Sequence, residues 1–318
     1  MKRCWLLVVV AACEPPAFDA SSHVDSVRIL AASADRPHAA PGDTVNMSLL
    51  AVDGRAVGAQ PMRVHWLPGA CLNPPNDAYY ACFPAFARAF SPGSDLSPLL
   101  EEGTSFSLRM PEDAIVAHEN TRGLEPYGLA VVFSMACAGS VQHLPQPSAA
   151  GPDAVPFGCF DGSGRRLGAD DFVFAYSLVY SFANPSNSNP VIDHATVDGA
   201  AVDPTDGIRV ARCTQRKLED CPVTHLDLVL SPASQELDPN NRDGDGRVLR
   251  EQIYVKYYLS AGKAKSDTVV LFDSRKGRLS GTDHGFHAPQ TAGTHRLWAV
   301  VHDSRGGVAW LELPLHAN

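Results

Sequence analysis

The sequence predicts an all-β chain built as two tandem β-sandwiches, and three observations predict it. Helical periodicity is scarce, whereas short runs rich in β-branched and aromatic residues, separated by turn formers, fill the chain. With residues 1–12 set aside as a leader, 306 of the 318 residues remain, above the ~250–300 at which a single core stops growing. Residues 183–190 read Ala-Asn-Pro-Ser-Asn-Ser-Asn-Pro, a concentration of turn formers that reads as a linker and divides the runs into two sets.

The first set spans residues 23–182. Val24–Ala32 is its first candidate strand. Pro41-Gly42-Asp43 then turns the chain into Thr44–Val52, where Val45, Met47 and Leu49 alternate with polar Asn46 and Ser48, as a half-buried strand requires. Met62–Leu67 is the third run, with Trp66 as its core aromatic, and Thr104–Met110 places Phe106 and Leu108 on one face. Tyr127–Cys137 is almost continuously apolar and reads as a central strand; Asp171–Phe182 closes the set. Two Pro/Gly-rich stretches, 68–100 and 138–170, read as long decorated loops, the first with a helical turn around Tyr79 to Phe90.

The second set spans residues 191–318. Val191–Val197, Ile208–Cys213, Thr224–Leu230, Gln252–Ser260 and Thr268–Phe272 are short strand candidates. Thr294–His302 and Val308–Leu315 flank the turn-rich Asp303-Ser304-Arg305-Gly306-Gly307 and read as a hairpin. Seven short strands at this spacing suit a sandwich.

The N-terminus has a cationic start, Lys2-Arg3, an apolar run from Trp5 to Val10, and small residues before Cys13. That is the grammar of a secretory signal, and the run is too short to span a bilayer. Val10-Ala11-Ala12-Cys13 resembles the lipobox of bacterial lipoproteins. The resemblance implies cleavage before Cys13, a diacylglycerol on its sulfur and an acylated new amine, hence a lipidated tether over 13–22. Multiple acyl chains make a firm anchor. Glu14, where an Asp would differ, resembles outer-membrane sorting in didermal bacteria.

Cys4 leaves with the leader and Cys13 takes the lipid, so six of the eight cysteines remain. An even remainder in an exported chain reads as disulfides. The six fall into local couples, Cys71–Cys82, Cys137–Cys159 and Cys213–Cys221, each clipping a loop. Zinc-finger spacing of Cys and His is absent. The formal charge of −9, more negative once Lys2 and Arg3 are gone, excludes nucleic acid as the expected partner.

Pro41-Gly42-Asp43-Thr44-Val45 ahead of the second strand, and Trp66 on the third, resemble bacterial immunoglobulin-like domains. Leu297–Asp303, followed through Gly306-Gly307 by Val308-Ala309-Trp310-Leu311, resembles the last hairpin of surface lipoproteins from myxobacteria-type organisms. The resemblance implies two immunoglobulin-like sandwiches without the inter-sheet disulfide of antibody domains. It speaks for fold, not function.

Candidate chemistry is thin. Asp238, Asn241, Asp243 and Asp245, with Gly246, place oxygens at the alternating positions that Ca²⁺ uses, although an EF-hand would need a glutamate where Gln252 stands. The same residues also suit a plain acidic inter-strand turn. Asp283, His284, His287, His295 and His302 could hold a transition metal, or be packed and solvated histidines. Tyr79, Tyr80, Phe83, Phe86 and Phe90 form either a recognition surface or a satellite core. Gly162-Ser163-Gly164 lacks the spacing of a nucleophile elbow, and the adjacent acids Glu101-Glu102 and Asp170-Asp171 point apart in a strand.

No catalytic residue is therefore assigned, and no cofactor is expected apart from calcium on that loop. The expected function is a non-catalytic, lipid-anchored envelope module, structural or interacting, sited at the outer membrane. Its expected partners are the membrane, through the lipid, and an envelope protein or glycan met by the long clipped loops. The alternatives are a calcium-stiffened carbohydrate- or protein-binding adhesin and a hydrolase assembled from scattered loop residues.

Overall fold

The computed structural model describes residues 20–56, 60–116, 125–145, 155–281 and 284–318. The leader, Cys13, Glu14 and Asp283 lie outside the described residues. All long runs predicted as strands are strands, and they assemble into two immunoglobulin-like β-sandwiches.

In the first sandwich, β1 (Val27–Ala34), β3 (Thr44–Asp53) and β7 (Ser105–Arg109) form one sheet in the order β1-β3-β7. The facing sheet runs β2 (His38–Ala39), β11 (Phe172–Ser181), β8 (Gly128–Cys137), β4 (Arg63–Trp66), β6 (Glu101–Glu102), with β5 (Cys71–Leu72) also beside β8. The chain thus leaves β1 in one sheet and joins the other as β2, parallel to β11. Val45, Met47, Phe106 and Leu108 meet Val64, Trp66, Ala130 and Val132 between the sheets. Trp66 is fully buried, stacks on Phe106 at 5.3 Å and donates its indole N–H to the Gly103 carbonyl.

β8 is buried at every position because it has no polar face to offer water. Its second face, from Leu129 to Cys137, is covered by the two stretches expected to be loops. One supplies α1 (Phe83–Ala89); the other supplies the hairpin β9 (Ser140–His143) and β10 (Phe157–Phe160). The described residues of both stretches pack there as a third layer.

The second sandwich repeats the plan. One sheet runs β13 (Ala200–Val202), β12 (Ile192–Val197), β15 (Val223–Leu230), β22 (His284–His287), β19 (Lys263–Ala264). The other runs β14 (Ile208–Val210), β24 (Val308–Ala317), β23 (Gly293–Asp303), β18 (Ile253–Leu259), β20 (Thr268–Asp273), β21 (Gly277–Arg278). β14 lies parallel to β24 as β2 does to β11. Leu226, Leu228, Tyr257, Phe286, Leu297 and Leu313 lead its core. A separate hairpin pairs β16 (Leu237–Arg242) with β17 (Val248–Arg250).

The sandwiches are joined by a fourth apolar cluster. Val24, Leu30, Ala31 and Leu50 of the first pack on Trp298, Val300 and Val308 of the second. The two stretches read as tether and linker both take part. Ser22 and Val24 exchange backbone hydrogen bonds with Leu259 of β18, at 2.8 and 2.9 Å. In the 183–190 stretch, Asn189 donates to the Ala34 carbonyl (2.7 Å) and accepts from the Val308 amide (2.9 Å), so one amide side chain ties β1 to β24. Polar residues of this connecting stretch are hydrogen-bonding groups of the joint.

Candidate functional site

The principal cleft, about 600 Å³, lies at this joint. One wall is β1 from Ile29 to Ala34, another is β11 from Ala175 to Tyr180 with Phe182 beyond it, and the second sandwich contributes His302, Ser304–Gly306 and Val308 with Asp238 and Asn240. Its apolar walls follow from the sequence of β11, which carries no charge from Phe172 to Ser181. Tyr176 and Leu178 are exposed there, at 44% and 36%.

The inner end of the cleft is polar and fixed. The turn between β23 and β24 is shaped by Asp303, whose Oδ1 accepts the amides of Arg305 (2.7 Å) and Gly307 (2.8 Å). A Cβ at Gly307 would lie 2.0 Å from Asp303 Oδ2, so only glycine lets the carboxylate close the turn. Arg305 is thereby folded inward, its side chain 6% exposed. It donates to the Leu237 carbonyl (3.1 Å) and Ser186 Oγ (2.7 Å), and faces Glu236 (3.6 Å), Glu251 (3.7 Å) and Asp238 (4.0 Å). Asn187 donates to Asp303 Oδ2 at 3.3 Å.

Burial sets the protonation of this knot. Glu251 is fully buried, which pushes its carboxyl up to about 7, with Asp303 and Glu236 adding repulsion against the pull of Arg305. Burial likewise raises Asp303. His38 is pushed down to about 4 by burial and by the Arg305 charge. Neutral His38 donates Nε2–H to the Arg305 carbonyl at 3.2 Å and packs on Phe182 at 4.5 Å. His302, stacked on Tyr254 at 5.1 Å, is pushed down to about 4 by burial and Lys256. These groups hold one another; none is poised against a nucleophile in the cleft. What the arrangement does is present a largely apolar slot with a polar, hydrogen-bonded inner end.

The structure places the sequence-predicted residues elsewhere. Cys71–Cys82, Cys137–Cys159 and Cys213–Cys221 are disulfide-bonded. Phe83 and Phe86 pack against Phe133, while Phe90 reaches Phe157 and Tyr79 stacks on Tyr176 at 4.1 Å, so the aromatic run is chiefly a satellite core, with Tyr80 at its surface. The calcium candidates do not converge. Asp243 Oδ1 accepts the amides of Asp245 and Arg247, closing the tip of the β16–β17 hairpin, while Asp238 faces Arg305 and caps the Asn240 amide. The histidines also separate: His284 stacks on Tyr257 at 3.8 Å, His287 bonds the Cys221 carbonyl, and His295 the Thr291 carbonyl. Among the described residues no group of three or more His, Cys, Asp or Glu side chains is placed to hold a metal. Ser163 sits in a turn capped by Asp161; Glu102 pairs with Arg63, and Asp171 with Arg55 at 2.6 Å.

Sequence reasoning missed Arg305, Glu251, Asp303, Asn187 and Asn189. One signal was present: Leu297-Trp298-Ala299-Val300-Val301 is apolar without alternation, which requires cover on both faces of β23.

No protein-family model matches the chain, and no curated relative matches it. Among solved structures it is similar to the fibronectin(III)-like modules of Clostridium thermocellum CbhA, at 10% identity over 92% of this chain and 94% of that one, with a TM-score of 0.24. Extracellular domains 3–5 of Drosophila OTK match at 9% identity over 93% of this chain and 99% of that one, with a TM-score of 0.18. Likeness at these scores carries no weight for function.

Proposed function

We propose that the chain is a non-catalytic, lipid-anchored envelope module that engages a partner in the cleft between its two sandwiches. The observation that carries this reading is the cleft itself: apolar walls drawn from both sandwiches, around a polar end whose charged groups face one another. Slots of this kind bind by shape and burial, since reactive groups within it are committed to holding the joint. Anchoring through Cys13 would keep the module at the outer membrane, and the three disulfides suit an oxidising compartment. Among the described residues no helix is long and apolar enough to cross a membrane.

Two experiments test the reading. Metabolic labelling with an alkyne fatty acid should mark the wild-type chain and not Cys13→Ser; equal labelling of both removes the anchor. Crosslinked pull-down of the tagged full chain from native envelopes should capture a partner that is lost on Asn240→Trp, which fills the cleft mouth from an exposed position. Undiminished capture by that variant removes the cleft from the function, and capture of glycan alone replaces it with the adhesin reading.

A further inference from the structure

The backbone of β11 says what kind of partner the cleft takes. β11 pairs with β8 continuously from Phe172 to Ser181, with no shift of register. Among the described residues its other edge is paired only at the ends. The Asp170 carbonyl accepts from Val27 N at 2.8 Å, and the Phe182 amide donates to the Ala39 carbonyl at 2.9 Å. Backbone N–H and C=O groups of alternate residues point the same way. Asp170 and Phe182 therefore fix the phase: Phe172, Phe174, Tyr176 and Leu178 aim their amides and carbonyls at the open edge. Between Val27 and His38 the chain leaves this edge to pair with β3, and the vacated space is part of the cleft.

We propose that an extended peptide segment of a partner protein adds as a strand to the free edge of β11 between Phe172 and Leu178. The inference rests on the interaction-module reading above and names the partner's chemistry. Several observations select this occupant. Edge strands that must stay single carry charges, prolines or bulges, and β11 carries none of these. A row of unpaired donors and acceptors is satisfied by another extended backbone, the mode of strand addition. The slot is walled by β1 on one side and the β23–β24 turn on the other, which favours a single strand over the edge of a second sandwich. The free window accepts about six residues at ~3.3 Å each. Its polar end offers no free cation, because the single Arg305 already faces three acids, Glu236, Asp238 and Glu251. An acidic side chain on the inserted strand would be buried against these acids without a partner, so the segment carries no acid there and is apolar on at least one face.

The test begins with a displayed library of random decapeptides selected on the full chain. Alternating sequences without acidic residues should be enriched, and the best should bind by fluorescence anisotropy. Leu178→Pro removes an outward amide without touching the β8 ladder, and edge positions of this kind tolerate proline. It should weaken binding at least about tenfold with the thermal midpoint kept. If that variant does not fold, the same question is put to the wild type with peptides N-methylated at alternate amides. One phase of methylation should abolish binding and the other should spare it.

Equal tolerance of both phases, or full binding by folded Leu178→Pro, overturns strand addition. If Asn240→Trp still blocks the peptide in that case, the cleft reading survives alone; if it does not, both fall. Failure to enrich any peptide overturns the peptide occupant while leaving the envelope pull-down to judge the cleft. Self-association that Leu178→Pro abolishes would make the occupant a second copy of this chain and overturn the proposal as stated.

Discussion

Nη1 of Arg305 lies 3.7 Å from Oε2 of Glu251, with Glu251 wholly buried and Arg305 almost so. Both belong to the second sandwich, yet they meet where the first one docks: the Arg305 carbonyl takes the His38 hydrogen bond, and its Nη2 holds Ser186 of the connecting stretch. The pair is therefore a structural part of the joint.

Arg305→Ala should cost about 3–5 kcal/mol above pH 7, where Glu251 is ionised and would be left buried without its counter-charge. Urea unfolding followed by intrinsic fluorescence measures this. A cost below about 1 kcal/mol, the worth of an exposed ion pair, would show that the pair does not hold the joint.

Protonation gives the joint a pH dependence with a definite sign. The folded value of Glu251, about 7, lies above its ordinary 4.5. Its contribution is therefore fully present below pH 4.5 and is lost as pH rises through about 7; raised Asp303 acts in the same direction. His38 and His302 act oppositely. Both are depressed to about 4, so their contribution is present above 6.5 and is lost as pH falls through 4. Glu251→Gln removes only the first effect. The thermal midpoint of the variant minus that of the wild type should grow more positive from pH 5 to pH 8. A difference that is the same at both pH values would refute the assignment.

Trp66→Ala should destabilise the first sandwich by about 3–5 kcal/mol through the cavity left against Phe106. Hydrogen exchange should rise in β3, β4, β7 and β8 and stay unchanged in β18 and β23. Uniform loosening of both sandwiches would mean that they unfold as one unit.

Reduction of Cys71–Cys82 should release α1 from the face of β8. Arg88, exposed in its last turn, is the reporter. Trypsin should cut there faster after reduction or in the double alanine variant; unchanged cleavage would assign the helix's hold to its phenylalanines alone. The disulfide's own contribution is roughly 2–4 kcal/mol.

Calcium should leave the protein unmoved. Asp243 already serves the amides of Asp245 and Arg247, so saturating calcium and chelator should give the same melting curve. A midpoint that rises with calcium would restore the metal site.

The long strands were legible because alternation and continuous apolar runs are local patterns. Thr44–Asp53 shows its faces in six residues, and Gly128–Cys137 shows that it has no wet face. Two-residue pairings such as His38–Ala39 and Cys71–Leu72 were not legible, because nothing in a dipeptide distinguishes a strand from a turn. Leu237–Arg242 hid for another reason: five of its six residues are turn formers or charged, and it is a strand only because β17 pairs with it. The cleft was hidden most deeply. Its polar knot draws on Asn187, Glu236, Glu251 and Arg305, residues far apart in sequence and each ordinary in its own neighbourhood. The Asn/Ser/Pro stretch between the sandwiches has the composition of a loose connector, and composition alone does not tell an amide that faces water from one that ties two strands together.

The backbone bonds from Ser22 and Val24 to Leu259 have a mechanical consequence. A pull on the chain from its N-terminal side reaches β18 of the second sandwich before it reaches β1 of the first. The bridge between His23 and Leu259 there is parallel, and the Ser21–Asp267 and Arg28–Ser21 contacts lie alongside it. Force entering from the N-terminal side is thus passed to both sandwiches, through β18 of the second as well as β1 of the first.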